Sequence, residues 1–222
     1  ITVAVPSFTT RFYNALLKGV KRAIDSEQLV DILIFDMGFQ DPDQRLIDFL
    51  DRGSVDALLY ASSAMSEQLE ERLLQSRTPV VTVGIQSNHF DCFWWDNRVG
   101  VSAALKHLIA MQHQKIGMIA AASWNVNAQT RVEVYKNSLE EAGLSFDPTY
   151  IQKGETLDNA GYSEEAGYEA MKQLLHTHPE VTAVFCASDV QALGAWKAIT
   201  EAGLRIPEDI ALVGYDNINM TD

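Results

Sequence analysis

Cysteine, basic charge and long apolar runs are what this sequence has least of. Its 222 residues include two cysteines, Cys92 and Cys186. Two thiols cannot build a disulfide framework, and with no C-x-x-C pair they offer no zinc or thiol-redox motif, so a reducing, cytoplasmic setting is expected. Seventeen Lys and Arg against thirty Asp and Glu leave a formal charge of −13. The densest basic group is Lys18, Lys21 and Arg22. Such a chain lacks the cations that displace counterions from a phosphate backbone or hold an anionic membrane. No apolar run approaches the roughly 20 residues of a membrane-spanning helix. Signatures of chemistry are also missing: there is no G-x-S-x-G elbow, Walker loop, G-x-G-x-x-G turn or H-E-x-x-H helix. Neither catalysis nor a cofactor is expected. His176 and His178 form an H-x-H with no third ligand nearby in sequence, which reads as a solvated helix end and not a metal site.

What is present is ordinary globular composition, 47% hydrophobic and 21% charged, at a length fitting one to two domains. Short apolar runs alternate with helical stripes. The runs at 1–5, 30–36, 55–61, 80–84, 92–95, 115–120, 150–153, 183–187 and 210–215 read as strands. Most lack polar alternation, as strands covered on both sheet faces do. Between them, apolar residues recur at helical spacing, as in Phe12, Leu16, Leu17, Val20 and Ile24. Asp41-Pro42 starts a second helix and Gly143 and Gly203 stop later ones. Strand–helix–strand alternation predicts parallel sheets with right-handed crossovers. So many strands suit two sheets better than one, with the rhythm restarting near Trp95-Asp96-Asn97. The expected organisation is an N-terminal lobe over 1–96, a C-terminal lobe over 97–216, and the start of a return crossing at 217–222, with a cleft between the lobes.

Open α/β sheets bind ligands just beyond the carboxyl ends of their strands. Those positions hold Ser7, Phe8 and Phe12; Asp96; Trp124, Asn125 and Asn127, with Arg131 in the helix that follows; Ser188 and Asp189; and Asp216 and Asn217. Tyr162 precedes the sixth helix. Hydroxyls, amides, carboxylates, one guanidinium and several rings suit a neutral, hydroxyl-rich ligand, with aromatic faces over apolar ring faces and polar forks on hydroxyl pairs. Several of these residues have local readings too. Asn125 or Asn127 serves as a helix cap or touches ligand; Asp189 complements a helix dipole; Phe12 belongs to an apolar stripe; Trp94 and Trp95 pack at the lobe junction. Arg131 opposes the dipole of its helix and so needs a partner, and Asp216 at a strand end needs solvent or a donor.

The segments Val5-Pro6-Ser7, Val55-Asp56-Ala57-Leu58-Leu59, Asp96-Asn97 with Gly100, Lys115-Ile116-Gly117, Arg131 with Tyr135, Glu141-Ala142-Gly143-Leu144, Thr182-Ala183-Val184-Phe185 with Asp189, and Gly203 through Val213-Gly214-Tyr215-Asp216-Asn217 resemble, in this order and spacing, the effector-binding core of the LacI/GalR family of transcription regulators. The likeness runs along essentially the whole chain. It implies a type I periplasmic-binding-protein fold, two Rossmann-like α/β lobes with a ligand cleft between them, a homodimer, and a small effector, commonly a sugar and in one branch a purine. Matched by motif, Arg131 falls on the family's effector-binding arginine, Asp216 on its cleft aspartate, Asn125 and Asn127 in the loop giving polar contacts, and Tyr162 where an aromatic covers the ligand. Phe8 and Phe12 fall on the opposite wall. Ser188 stands where sugar binders carry asparagine. Asn125 stands where the purine branch carries a basic residue, which weighs against a purine.

The resemblance implies that operator DNA is bound through an N-terminal headpiece that is not in this chain, and that further elements follow position 222. The opening at Ile1, without methionine, fits a segment upstream. A transporter's periplasmic sugar-binding protein is the alternative reading, sharing fold and cleft; the run Arg205-Ile206-Pro207-Glu208-Asp209-Ile210 and the segment 113–117 look like those of repressors.

Overall fold

The computed structural model describes residues 1–25, 30–53, 55–61, 64–154, 156 and 158–218, with residue 158 described by its backbone alone. Positions 219–222 of the expected return crossing lie outside the described residues. The chain divides into two compact units, Ile1–Trp95 and Asp96–Asp222. Asp96 goes with the second unit, where its side chain accepts the Arg98 amide and caps a helix.

The first unit runs β1 (Thr2–Val5), α1 (Arg11–Ile24), β2 (Leu33–Asp36), α2 (Pro42–Arg52), β3 (Leu58–Ala61), α3 (Glu67–Gln75), β4 (Val80–Val83), β5 (Asp91–Phe93). Its sheet is parallel, in the order β2-β1-β3-β4-β5. Thr10 and Ser66 cap α1 and α3 through their hydroxyls, taking up amides that a helix start leaves unpaired. Val3, Val5 and Ala61 face α1, and Ala4, Leu58, Tyr60 and Val80 face α2 and α3. The helices therefore cover both faces of the sheet, as a parallel sheet requires.

The second unit repeats the plan with α4 (Asn97–Ala110), β6 (Ile116–Ile119), α5 (Val126–Glu141), β7 (Ile151–Gln152), α6 (Glu164–Thr177), β8 (Ala183–Cys186), α7 (Asp189–Glu201) and β9 (Ala211–Val213). The sheet order is β7-β6-β8-β9, again parallel. Ile116, Met118 and Phe185 pack toward α4 and α5; Ile119, Val184 and Cys186 pack toward α6 and α7. Each unit's order reverses beside its first strand, at β1/β3 and at β6/β8. At such a switch point two connections depart to opposite faces and leave a crevice past the strand ends.

The strands are shorter than their apolar runs, because pairing ends where the flanking strand does: 30–36 contracts to Leu33–Asp36 and 150–153 to Ile151–Gln152. Full burial holds for β1, β6 and β8 but not for the sheet margins. Leu33 and Ile34 on edge strand β2 are half exposed and Phe93 on edge strand β5 is 77% exposed. Trp94 and Trp95, expected as packed residues, are also substantially exposed.

α6 and α7 cross with their backbones in contact. A Cβ on Gly194 would lie 1.9 Å from the Glu164 carbonyl oxygen, and one on Gly167 would lie 2.1 Å from that of Gln191. The obstacle in each case is backbone, which cannot swing aside. Gly194→Ala is therefore expected to destabilise the domain by about 3 kcal/mol or more, despite the better helix propensity of alanine. Urea unfolding checks this; an unchanged midpoint contradicts the close crossing.

Candidate functional site

The second sheet's crevice is built around Arg131. Asn125 ends the loop after β6 and caps α5, its Oδ1 accepting the Ala128 amide at 3.0 Å. That cap fixes the start of α5 and places Arg131 about one and a half turns in, facing the switch point. The side chain is 5% exposed. Its Nε donates to Asn97 Oδ1 at 3.1 Å, and Nη1 donates to the Ala187 carbonyl at the end of β8. Asn97, itself buried at the start of α4, passes its amide on to Asn127 Oδ1 at 3.0 Å. The guanidinium lies over the Tyr215 ring, 4.1 Å from its centroid, with the Tyr162 ring at 5.8 Å. Nη2, at the outer edge, faces Asp216 Oδ1 at 3.9 Å. A cation taken out of water is thus held by two carbonyl-type acceptors, a ring face and a carboxylate, as its burial demands.

Asp216 is the second pole. Burial drives its carboxyl up to about 6; Arg131 pulls it back down and Asp189 adds to the rise. Asp189, at the first position of α7, holds the segment after β9. Its amide donates to the Tyr215 carbonyl at 2.7 Å and its Oδ2 accepts from the Ile218 amide at 2.8 Å. Asp216 and Asn217 lie at φ of 105° and 55°. Non-glycine residues with positive φ cost energy and collect at functional turns.

Tyr162 is the third. The turn Asp158–Gly161 before it carries Asn159 and Ala160 at φ of 51° and 58°. The Ala160 carbonyl is fastened by the Ala122 amide at 2.8 Å. This brings the Tyr162 ring in over the β6 end. Among the described residues, its hydroxyl is the one buried side-chain polar atom with no hydrogen-bond partner, and burial raises its pKa. An unsatisfied buried hydroxyl costs stability and marks a place where a ligand atom would be rewarded.

The remaining residues nominated from the sequence are distributed as follows. Ser188 is buried as the cap of α7, its Oγ accepting the Gln191 amide at 3.2 Å and lying 3.4 Å from Gln191 Oε1. Asn127 is joined to Arg131 through Asn97. Phe8 and Phe12 belong to the first unit. Phe8 is 48% exposed, and Phe12, expected on the core stripe, is 36% exposed, with its ring 5.7 Å from that of Trp95. His178, of the H-x-H pair, bonds Glu180 at 3.2 Å and stacks on Tyr150.

Three contributors escaped sequence reasoning. Gln191, fully buried, ties the Ala120 and Gly161 carbonyls together at 3.1 and 2.9 Å. Asn97 reads as an ordinary first-turn residue, and Tyr215 as the end of a strand. One signal existed for Tyr215: Gly100 sits inside helix α4, and a Cβ there would meet the tyrosine ring at 2.7 Å. A glycine mid-helix needs such a reason.

A family profile described as periplasmic binding proteins and sugar binding domain of LacI family matches residues 1–222. The chain belongs to this family. The domain is 36% identical over 175 residues to the HTH-type transcriptional repressor PurR of Haemophilus influenzae, covering 78% of this chain and 50% of that protein. It is 29% identical over 224 residues to the HTH-type transcriptional repressor CytR of Escherichia coli, covering 100% and 64%. The chain therefore spans about half to two-thirds of the length of these relatives. Among solved structures, a transcriptional regulator CelR–cellobiose complex matches with a TM-score of 0.81 at 29% identity, over 98% of this chain and 67% of the other. The regulator GntR of Chromobacterium violaceum matches at 0.84 and 22% identity, over 98% and 78%, a likeness of fold.

The Asp216 environment fixes a pH dependence. Its folded-state pKa of about 6 lies above the ordinary value of 3.8, so between these limits the native domain keeps a proton that the unfolded chain releases. Stability contributed by this group is present below pH 4 and is lost as pH rises to 6, by about 3 kcal/mol in all. Asp216→Asn is expected to flatten the stability profile over that window in urea unfolding at stepped pH; parallel profiles for the two proteins contradict it.

Proposed function

We propose that this domain is the effector-sensing part of a transcription regulator, and that its effector is a small neutral, hydroxyl-rich molecule, a sugar in the first instance. The observation that carries this reading is the convergence of a guanidinium edge, a carboxylate and an unpartnered buried hydroxyl, on Arg131, Asp216 and Tyr162, at the switch point of one sheet. Arg131 supplies donors, Asp216 an acceptor, and Tyr162 either, which is the set that adjacent hydroxyls satisfy. The Arg131 charge already faces Asp216, so an anionic ligand would meet no net positive field. Phe8 and Phe12 join the ligand contacts in this proposal through the family resemblance and their exposed rings, and Asn125, Asn127 and Ser188 as residues of the same loops.

The names of the relatives, repressors and regulators with a cellobiose complex among them, support regulation over transport. In the whole protein, operator DNA is bound by a headpiece outside this chain, by a homodimer, in the cytoplasm. The effector acts by binding one conformational state better than another, since only differential affinity shifts such an equilibrium. No catalysis is assigned.

Titration calorimetry against a panel of neutral mono- and disaccharides, cellobiose included, with nucleosides and sugar phosphates beside them, tests the reading. A neutral saccharide is expected to bind. Arg131→Ala or Tyr162→Phe is expected to weaken it about 10- to 100-fold, the worth of one charged or buried hydrogen bond. Binding by sugar phosphates alone, or undiminished binding by both variants, overturns it.

A further inference from the structure

We propose that Tyr215 is a positioning residue for effector recognition: its ring, seated in the slot left by Gly100 of α4, holds the plane of the Arg131 guanidinium so that its outer edge meets Asp216. This rests on the reading of Arg131 and Asp216 as effector contacts. Three independent features of the structure carry it. The ring centroid lies 4.1 Å from Arg131 Cζ, close enough to set the orientation of the guanidinium face. The ring has its place because α4 carries no side chain there; a Cβ on Gly100 would come to 2.7 Å of Cε2 and 2.9 Å of the hydroxyl oxygen. The ring and the carboxylate are neighbours in sequence, and the Asp189 amide anchors the Tyr215 carbonyl at 2.7 Å. One short segment thus supplies both the support beneath the guanidinium and the charge opposite its edge.

The other anchors of Arg131 leave one freedom unfixed. Bonds to Asn97 from Nε and to Ala187 from Nη1 hold the inner side of the fork. The two bonds leave from different sides of the planar group and neither bears on its flat face, so the plane can still tilt about the line joining the two nitrogens. A ring against the flat face removes the tilt, and this is what decides whether Nη2 faces Asp216 or swings from it. The phenol oxygen plays no part in this, so phenylalanine should serve as well as tyrosine, whereas a flexible aliphatic side chain should not.

The test needs no ligand and reads the Asp216 carboxyl directly, by carbon-13 NMR titration assigned with Asp216→Asn. The groups facing that carboxyl are Arg131 from α5, Asp189 from α7 and the Tyr162 hydroxyl from the turn before α6. Of these, Arg131 alone lowers its midpoint, so losing the alignment must raise it. Tyr215→Leu is expected to raise the midpoint by roughly half a pH unit or more, and Tyr215→Phe to leave it in place. Gly100→Ala, which favours the helix while pushing the far end of the ring aside, is expected to act like Tyr215→Leu, and decides the matter if that variant does not fold. The Arg131 Nε–H resonance gives a second signature: ring-current shifted in the native and Tyr215→Phe domains, unshifted in the other two. A folded Gly100→Ala domain with an unmoved midpoint and a retained ring-current shift overturns the proposal. So does Tyr215→Phe moving the midpoint as far as Tyr215→Leu. A failed search for a saccharide ligand leaves these titrations untouched, so the two readings fail separately.

Discussion

A guanidinium removed from water is the constraint around which the second unit is arranged. Arg131 is 5% exposed, and an isolated buried cation would be prohibitive. Every neighbouring element contributes to holding it: α4 through Asn97, β8 through the Ala187 carbonyl, and the segment after β9 through the Tyr215 ring and the Asp216 carboxylate. The pair with Asp216 is long, and burial outweighs it in setting the state of the carboxyl. The 3.9 Å pair and the unpartnered Tyr162 hydroxyl leave this site incompletely satisfied by the protein's own groups, which is the basis for the ligand class proposed.

The fold makes this arrangement inexpensive at the sheet and costly at the turns. Parallel order β7-β6-β8-β9 opens a crevice between the β6 and β8 ends without any special residue. Gln191 then bridges the two sides from α7, and the glycine contact between α6 and α7 brings both helices close enough for it to reach the Ala120 and Gly161 carbonyls. Around the crevice the backbone leaves its preferred regions, at Asn159 and Ala160 before Tyr162 and at Asp216 and Asn217 after Tyr215. These unfavourable conformations lie beside Tyr162 and Tyr215 and include Asp216 of the candidate site, where surrounding structure must hold them.

Apolar runs and helical stripes are local signals, and every strand and helix expected from them is present, with ends trimmed where a partner strand stops. The exposure of Leu33, Ile34 and Phe93 was not legible, because whether an apolar strand is central or marginal depends on sheet order. At the site, the two charged residues stood out because each was anomalous where it stood: a cation in the early turns of a helix and an acid at a strand end. Asn97 and Gln191 did not, since their amides act on carbonyls and side chains tens of residues away. Tyr215 was half legible, its space recorded by Gly100 but its neighbour on α5, Arg131, visible only in three dimensions. The two asparagines separated only in the structure, Asn125 as a helix cap and Asn127 as a link toward Arg131.

A double-mutant cycle on the unfolding free energy, pairing Arg131→Met with Asp216→Asn at pH 7.5, tests most directly whether the guanidinium and carboxylate depend on each other. If they face one another in a shared buried space, each single change strands an unpaired charge or donor, and the double variant recovers part of the loss. The expected coupling is about 1 kcal/mol or more. Strictly additive effects would mean that the two groups do not share one site.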